Sequence, residues 1–78
     1  MLSPDQVKQY IEQGMACQHV EVSGDGHHFE AVIVSAAFKG KRKVQQHQIV
    51  YQALGDRMRE EIHALSMQTQ TPEEWAAR

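Results

Sequence analysis

The sequence predicts an α+β sandwich, with three strands in one sheet and helices covering one face of it. Three observations carry this prediction. Helix-initiating signatures stand near both ends, at Ser3-Pro4-Asp5-Gln6 and Thr71-Pro72-Glu73-Glu74. An alternating segment and a β-branched segment are joined by a Gly-rich turn. A long helical pattern then separates these from a further alternating stretch. The expected order is αββααβα, in a single domain over residues 1–78.

After Ser3, the residues Val7, Tyr10, Ile11 and Met15 recur at helical spacing, which gives a helix from about Pro4 to Gln13 ending near Gly14. His19 to Ser23 alternates, with Val20 and Val22 on one face, as a half-buried strand should. Ser23-Gly24-Asp25-Gly26-His27-His28 is a turn, and Phe29 to Ser35 is rich in β-branched residues, so the two strands form an antiparallel hairpin with two histidines at its tip. The polar break Lys39-Gly40-Lys41-Arg42-Lys43 precedes a helix from Arg42 to Leu54, closed by Gly55. Val44, Val50, Tyr51 and Leu54 are expected to face one way, with Ile49 and Ala53 widening the stripe. A short helical turn from Arg57 to Glu61 leads into a third strand over Ile62 to Thr69, in which Leu65 and Met67 alternate with Ser66 and Gln68. The crossover puts this strand in the same sheet, with the basic loop and the start of the long helix together at one edge.

A chain this short forms one thin core, and 41% apolar with 23% charged residues is an ordinary globular composition. No apolar run is long enough to span a bilayer, and the N-terminus lacks a secretory or organelle-targeting profile, so a cytoplasmic protein is the expectation. Cys17 is the lone cysteine, so no internal disulfide can form. The net charge of −2 hides a local separation. Lys39, Lys41, Arg42 and Lys43 cluster, whereas acids gather at Glu60-Glu61 and Glu73-Glu74, which suggests a basic end and an acidic end.

Enzymatic chemistry finds little support. Cys17 has His19 nearby but no acid to orient it, and there is no P-loop, dinucleotide fingerprint or His-Glu-x-x-His. Five histidines against one thiol cannot build a Cys-rich zinc site, although they could supply part of a shared coordination sphere. Iron–sulfur centres accept imidazole in place of thiolate on one iron, so His63 with His27 or His28 could be half of a site completed by a thiol-bearing partner. Solvated surface is the simpler reading of their spacing alone. His47, on the apolar helical stripe, is expected to be structural, with a partly buried and hydrogen-bonded ring; His19 is expected at the surface. Lys39, Lys41, Arg42 and Lys43 at a helix start could bind phosphates or an acidic partner, against the simpler reading of a solvated turn. Trp75 is expected to cap the small core.

Val-Ser-Gly-Asp-Gly-His-His-Phe at 22–29, Val-Ser-Ala-Ala-Phe-Lys-Gly at 34–40, Val-Gln-Gln-His-Gln-Ile-Val-Tyr at 44–51, Ile-His-Ala-Leu-Ser at 62–66 and Thr-Pro-Glu-Glu-Trp at 71–75 together resemble the BolA family. Within it the likeness is to the short bacterial, IbaG-like branch. The resemblance implies a BolA-like, class II KH-like α+β fold and a monothiol glutaredoxin partner. It further implies a [2Fe–2S] cluster shared in the heterodimer, with the partner's cysteine and a glutathione thiolate as the remaining ligands. His63 matches the histidine near the start of the last strand. The hairpin ligand stays open between His28, which matches the His before Phe, and His27. No cluster is implied for the isolated chain, though a weak homodimer is compatible with it. The resemblance also carries an alternative, a DNA-binding transcriptional or stress regulator using the basic loop and long helix. Gly40-Lys41-Arg42-Lys43 lacks the second glycine of a nucleic-acid-clamping KH loop, so KH-type RNA binding is not expected.

Overall fold

The computed structural model describes residues 1–78. Helix α1 (Pro4–Gly14) begins at a reciprocal cap, in which the Ser3 hydroxyl accepts from the Gln6 N–H and the Gln6 side chain accepts from the Ser3 N–H. Strands β1 (His19–Gly24) and β2 (His28–Val34) form the antiparallel hairpin, and β3 (Ala64–Gln70) pairs parallel to β2 on its other side. The sheet order is therefore β1-β2-β3, with the hairpin's second strand central. Between β2 and β3 run helix α2 (Lys43–Leu54) and the short α3 (Asp56–Glu60), and α4 (Pro72–Ala76) closes the chain. Gly55, at φ 58°, provides the left-handed link between α2 and α3.

Register assigns the two faces of the sheet. Val20 opposite Ile33, Val22 opposite Ala31, and Phe29, Ala31 and Ile33 opposite Leu65, Met67 and Thr69 form the face under the helices. Val7 and Ile11 of α1 and Val50 and Leu54 of α2 complete the core with Phe38 and Ile62. Phe38 enters it from a 3-10 turn (Ala36–Phe38) that the sequence pattern did not disclose, capped by the Ser35 hydroxyl, which accepts from the Ala37 N–H and donates to the Ala16 carbonyl. Ile62 is buried in the turn before β3 rather than in the strand, so β3 begins later than expected.

The expected apolar stripe of α2 is corrected. Gln46, Val50 and Leu54 form its buried face, whereas Val44 is 59% exposed and Tyr51 40% exposed. Gln46 can occupy a core position because its polar atoms are all used. Its amide donates to the carbonyls of Phe38 (3.1 Å) and Lys41 (3.0 Å), and its oxygen accepts from Thr69 Oγ1 at 2.6 Å. One side chain thus ties α2 to β3 and to the loop between β2 and α2.

Candidate functional site

Parallel pairing of β2 with β3 sets His28 opposite Ala64, which brings the hairpin tip beside the residue preceding β3. The Ala64 N–H donates to the His27 carbonyl at 3.1 Å. His63 consequently stands beside both hairpin histidines, its ring centroid 6.0 Å from that of His27 and 6.0 Å from that of His28, edge-on to each. All three side chains are exposed. The tip itself is organised by Asp25, whose Oδ1 accepts from the N–H groups of His27 and His28, each at 2.9 Å. These bonds, the His28 one foremost, lower the Asp25 pKa, because they favour the charged carboxylate. Asp25 adds to the residues expected at this site, and its local signal is an Asp two residues before a turn histidine.

No three or more His, Cys, Asp or Glu side chains are arranged to hold a metal ion by themselves. This end offers three imidazoles and the Asp25 carboxylate, whose Oδ1 is taken up by the backbone, but no thiol. Cys17 lies at the other end of the sheet, since Gln18 donates to the Val34 carbonyl and Ser35 to that of Ala16. The seven residues of β2 separate the two ends by roughly 20 Å. Burial, with a smaller contribution from Glu12, pushes the Cys17 thiol up to about 11, so it is held in the protonated, poorly nucleophilic form.

The basic residues occupy that far end too. The expected separation into basic and acidic ends does not survive there, because Glu73 of α4 lies 2.9 Å from Lys39 Nζ. Lys43 Nζ donates to the Thr69 carbonyl, which occupies an outward acceptor on the β3 edge. Lys41 and Arg42 make no ion pair.

Three further expectations are corrected in this region. Trp75 is not part of the core cluster or packed against it; its ring stacks on His19 with centroids 4.7 Å apart and an interplanar angle of 22°. His19 alternates with core-facing Val20, so this stack covers the corner of the opposite sheet face, where buried Val34 is its register partner. His19 is therefore half-buried rather than a plain surface residue, with its Nε2 3.3 Å from Glu21. His47 is half-buried as expected but its ring makes no hydrogen bond, because the inward, hydrogen-bonded position on α2 belongs to its neighbour Gln46.

The pattern described as BolA-like protein matches residues 1–74. A relative from Haemophilus influenzae named DNA-binding transcriptional regulator BolA is 51% identical over 59 residues, which span 76% of this chain and 57% of that protein. Acid stress protein IbaG of Escherichia coli (strain K12) is 36% identical over 73 residues, covering 92% of this chain and 87% of its own. Among solved structures, a bolA protein homologue from Coxiella burnetii superposes with a TM-score of 0.92 at 44% identity, over 97% of this chain and 99% of that one. The expected fold is thus the fold observed.

Proposed function

This chain belongs to the BolA-like family, and on that premise we propose that it is a non-enzymatic adaptor in iron–sulfur cluster assembly or trafficking. In this reading it acts with a monothiol glutaredoxin, and the cargo is a [2Fe–2S] cluster shared between the two proteins. The observation that carries the reading is the gathering of His27, His28 and His63 at one end of the sheet, with the only thiol at the other. Exposed imidazoles without thiolates suit part of a coordination sphere and not a whole one. The fit is to a half-site, whose thiolates come from the glutaredoxin and glutathione.

The chain's own residues do three things in this mechanism. The β2–β3 register and the Ala64 to His27 hydrogen bond hold His63 beside the tip. Asp25 holds the backbone of His27 and His28, so that either ring can approach from a fixed turn. Neutral imidazole nitrogen supplies the ligand, so protons compete with iron and coordination weakens as pH falls. Anaerobic mixing with a monothiol glutaredoxin, glutathione, iron and sulfide tests the reading. A heterodimer with a visible absorption spectrum distinct from that of the glutaredoxin alone is expected, and an unchanged glutaredoxin spectrum would remove it.

A second reading, DNA binding by a transcriptional or stress regulator, is favoured by the free cations Lys41 and Arg42 at the start of α2 and by the name of the Haemophilus relative. It is weakened by the engagement of Lys39 and Lys43 within the fold.

A further inference from the structure

Helix α4 carries its acids to the one place where the chain concentrates cations. Glu73 is paired with Lys39 at 2.9 Å, and this hydrogen bond is the main cause of its lowered pKa. Glu74 is held down first by its bond from Thr71, with the charge of Lys43 adding to the effect. Four cations lie in or beside the loop, and α4 directly neutralises one of them while its field reaches a second.

The attachment of α4 is of a kind that can be undone. A helix of five residues is far too short to persist without tertiary contacts. Its main anchor is Trp75, stacked on His19 on one side and covered on the other by the Arg78 guanidinium, 3.5 Å from the ring centroid. The Lys39–Glu73 pair is exposed and therefore a weak tie. Beneath this corner, Gln70 Oε1 is buried with no hydrogen-bond partner, and the buried His19 Nε2 has only the Glu21 carboxylate, 3.3 Å away and outside hydrogen-bond geometry. Undocking α4 would give both atoms to water, which offsets part of the packing lost.

We propose that α4 is an internal anionic cover over a phosphate-binding corner formed by Lys39, Lys41, Arg42 and Lys43, so that a nucleic-acid backbone gains the whole corner only by displacing α4. This inference rests on the second reading above. Docked, the corner offers Lys41 and Arg42; undocked, it adds Lys39 and removes the acidic field from Lys43. Because the acids and the phosphates compete for the same ammonium groups, binding and undocking are coupled.

The test uses the full chain and a mixed-sequence DNA duplex, with affinity measured from 50 to 200 mM salt. Wild type should show a slope of log affinity against log salt of about −1.8, from two phosphate contacts. Replacing Glu73 and Glu74 by Gln keeps the cap, since Gln serves at that position, and should steepen the slope by about 0.9 per cation released. Each released cation also enlarges the loss of affinity over that salt range roughly threefold. A control with the same change in charge at the distant end, Asp5→Asn with Glu60→Gln, should keep the wild-type slope. Trp75 is the one tryptophan, and acrylamide should quench it more strongly in the duplex-bound Glu73/Glu74 variant, where α4 is displaced, than in duplex-bound wild type. If wild type binds but the Glu73/Glu74 variant has its slope, or Trp75 is quenched equally in the two duplex-bound proteins, the cover is refuted while the DNA reading stands. If neither protein binds at the lowest salt, both are refuted.

Discussion

Thr69 donates its hydroxyl to the side-chain oxygen of Gln46 at 2.6 Å, and both residues are buried. This bond, with the two that the Gln46 amide makes, joins the long helix to the last strand and fixes the loop that carries the cations. Gln46→Ala leaves the buried Thr69 hydroxyl without its partner, takes from the Phe38 carbonyl one of its two hydrogen bonds, and removes packing volume. The expected loss is about 2–4 kcal/mol in urea unfolding. Thr69→Val should cost less, and the double variant should fall short of the sum by about 1 kcal/mol, as expected for coupled residues.

Gly14 permits α1 to approach α2 closely, since a β-carbon there would collide with the Ala53 backbone. Helix propensity alone favours Ala over Gly by about 1 kcal/mol. The clash involves backbone, which cannot swing aside, so Gly14→Ala is expected to destabilise the protein by about 1–3 kcal/mol, measured by thermal or urea unfolding.

Asp25 has a pKa lowered in the folded state, mainly by the backbone bond from His28 and then that from His27. Its contribution to order at the tip is therefore fully present above the unfolded carboxylate value and is lost as pH falls through the folded one. Protection of the His27 and His28 amides from hydrogen exchange, taken relative to the intrinsic rate at each pH, should be high at neutral pH and fall at acid pH. In Asp25→Ala it should already be low at neutral pH, whereas Asp25→Asn, which keeps the acceptor oxygen, should lie between.

The Cys17 thiol, raised to about 11 and half-buried, should alkylate with iodoacetamide at pH 8 much more slowly than a free cysteine. Cys17→Ser should leave any cluster spectrum of the heterodimer unchanged. A loss of that spectrum would mean that the thiol end of the sheet takes part.

His63 stands equally far from the rings of His27 and His28. Single Ala substitutions at 27 and 28 are accordingly expected to shorten the lifetime of the shared cluster without abolishing it. The double variant should approach the effect of losing the hairpin ligand altogether, read as decay of visible absorbance in air.

The features legible in the sequence were those set by near neighbours. The caps at Ser3-Gln6 and Thr71-Glu74 each span four consecutive residues, and both form as their residues predict. The hairpin follows from alternation interrupted by glycines. The burial of Gln46 was not legible because it depends on Thr69, 23 positions away, and on carbonyls of an irregular loop. Lys39 and Glu73, and likewise His19 and Trp75, meet only because β1 and the end of β3 share one end of the sheet. The three site histidines could be picked out individually, but their mutual placement is a product of the parallel β2–β3 register.

The most direct measurement is the visible spectrum and decay of the glutaredoxin heterodimer, reconstituted in parallel with the wild-type chain and with His63→Ala. His63→Ala is expected still to bind the glutaredoxin but to give an altered spectrum and a faster-decaying cluster. A His63→Ala heterodimer with the wild-type spectrum and lifetime would rule out His63 as a ligand.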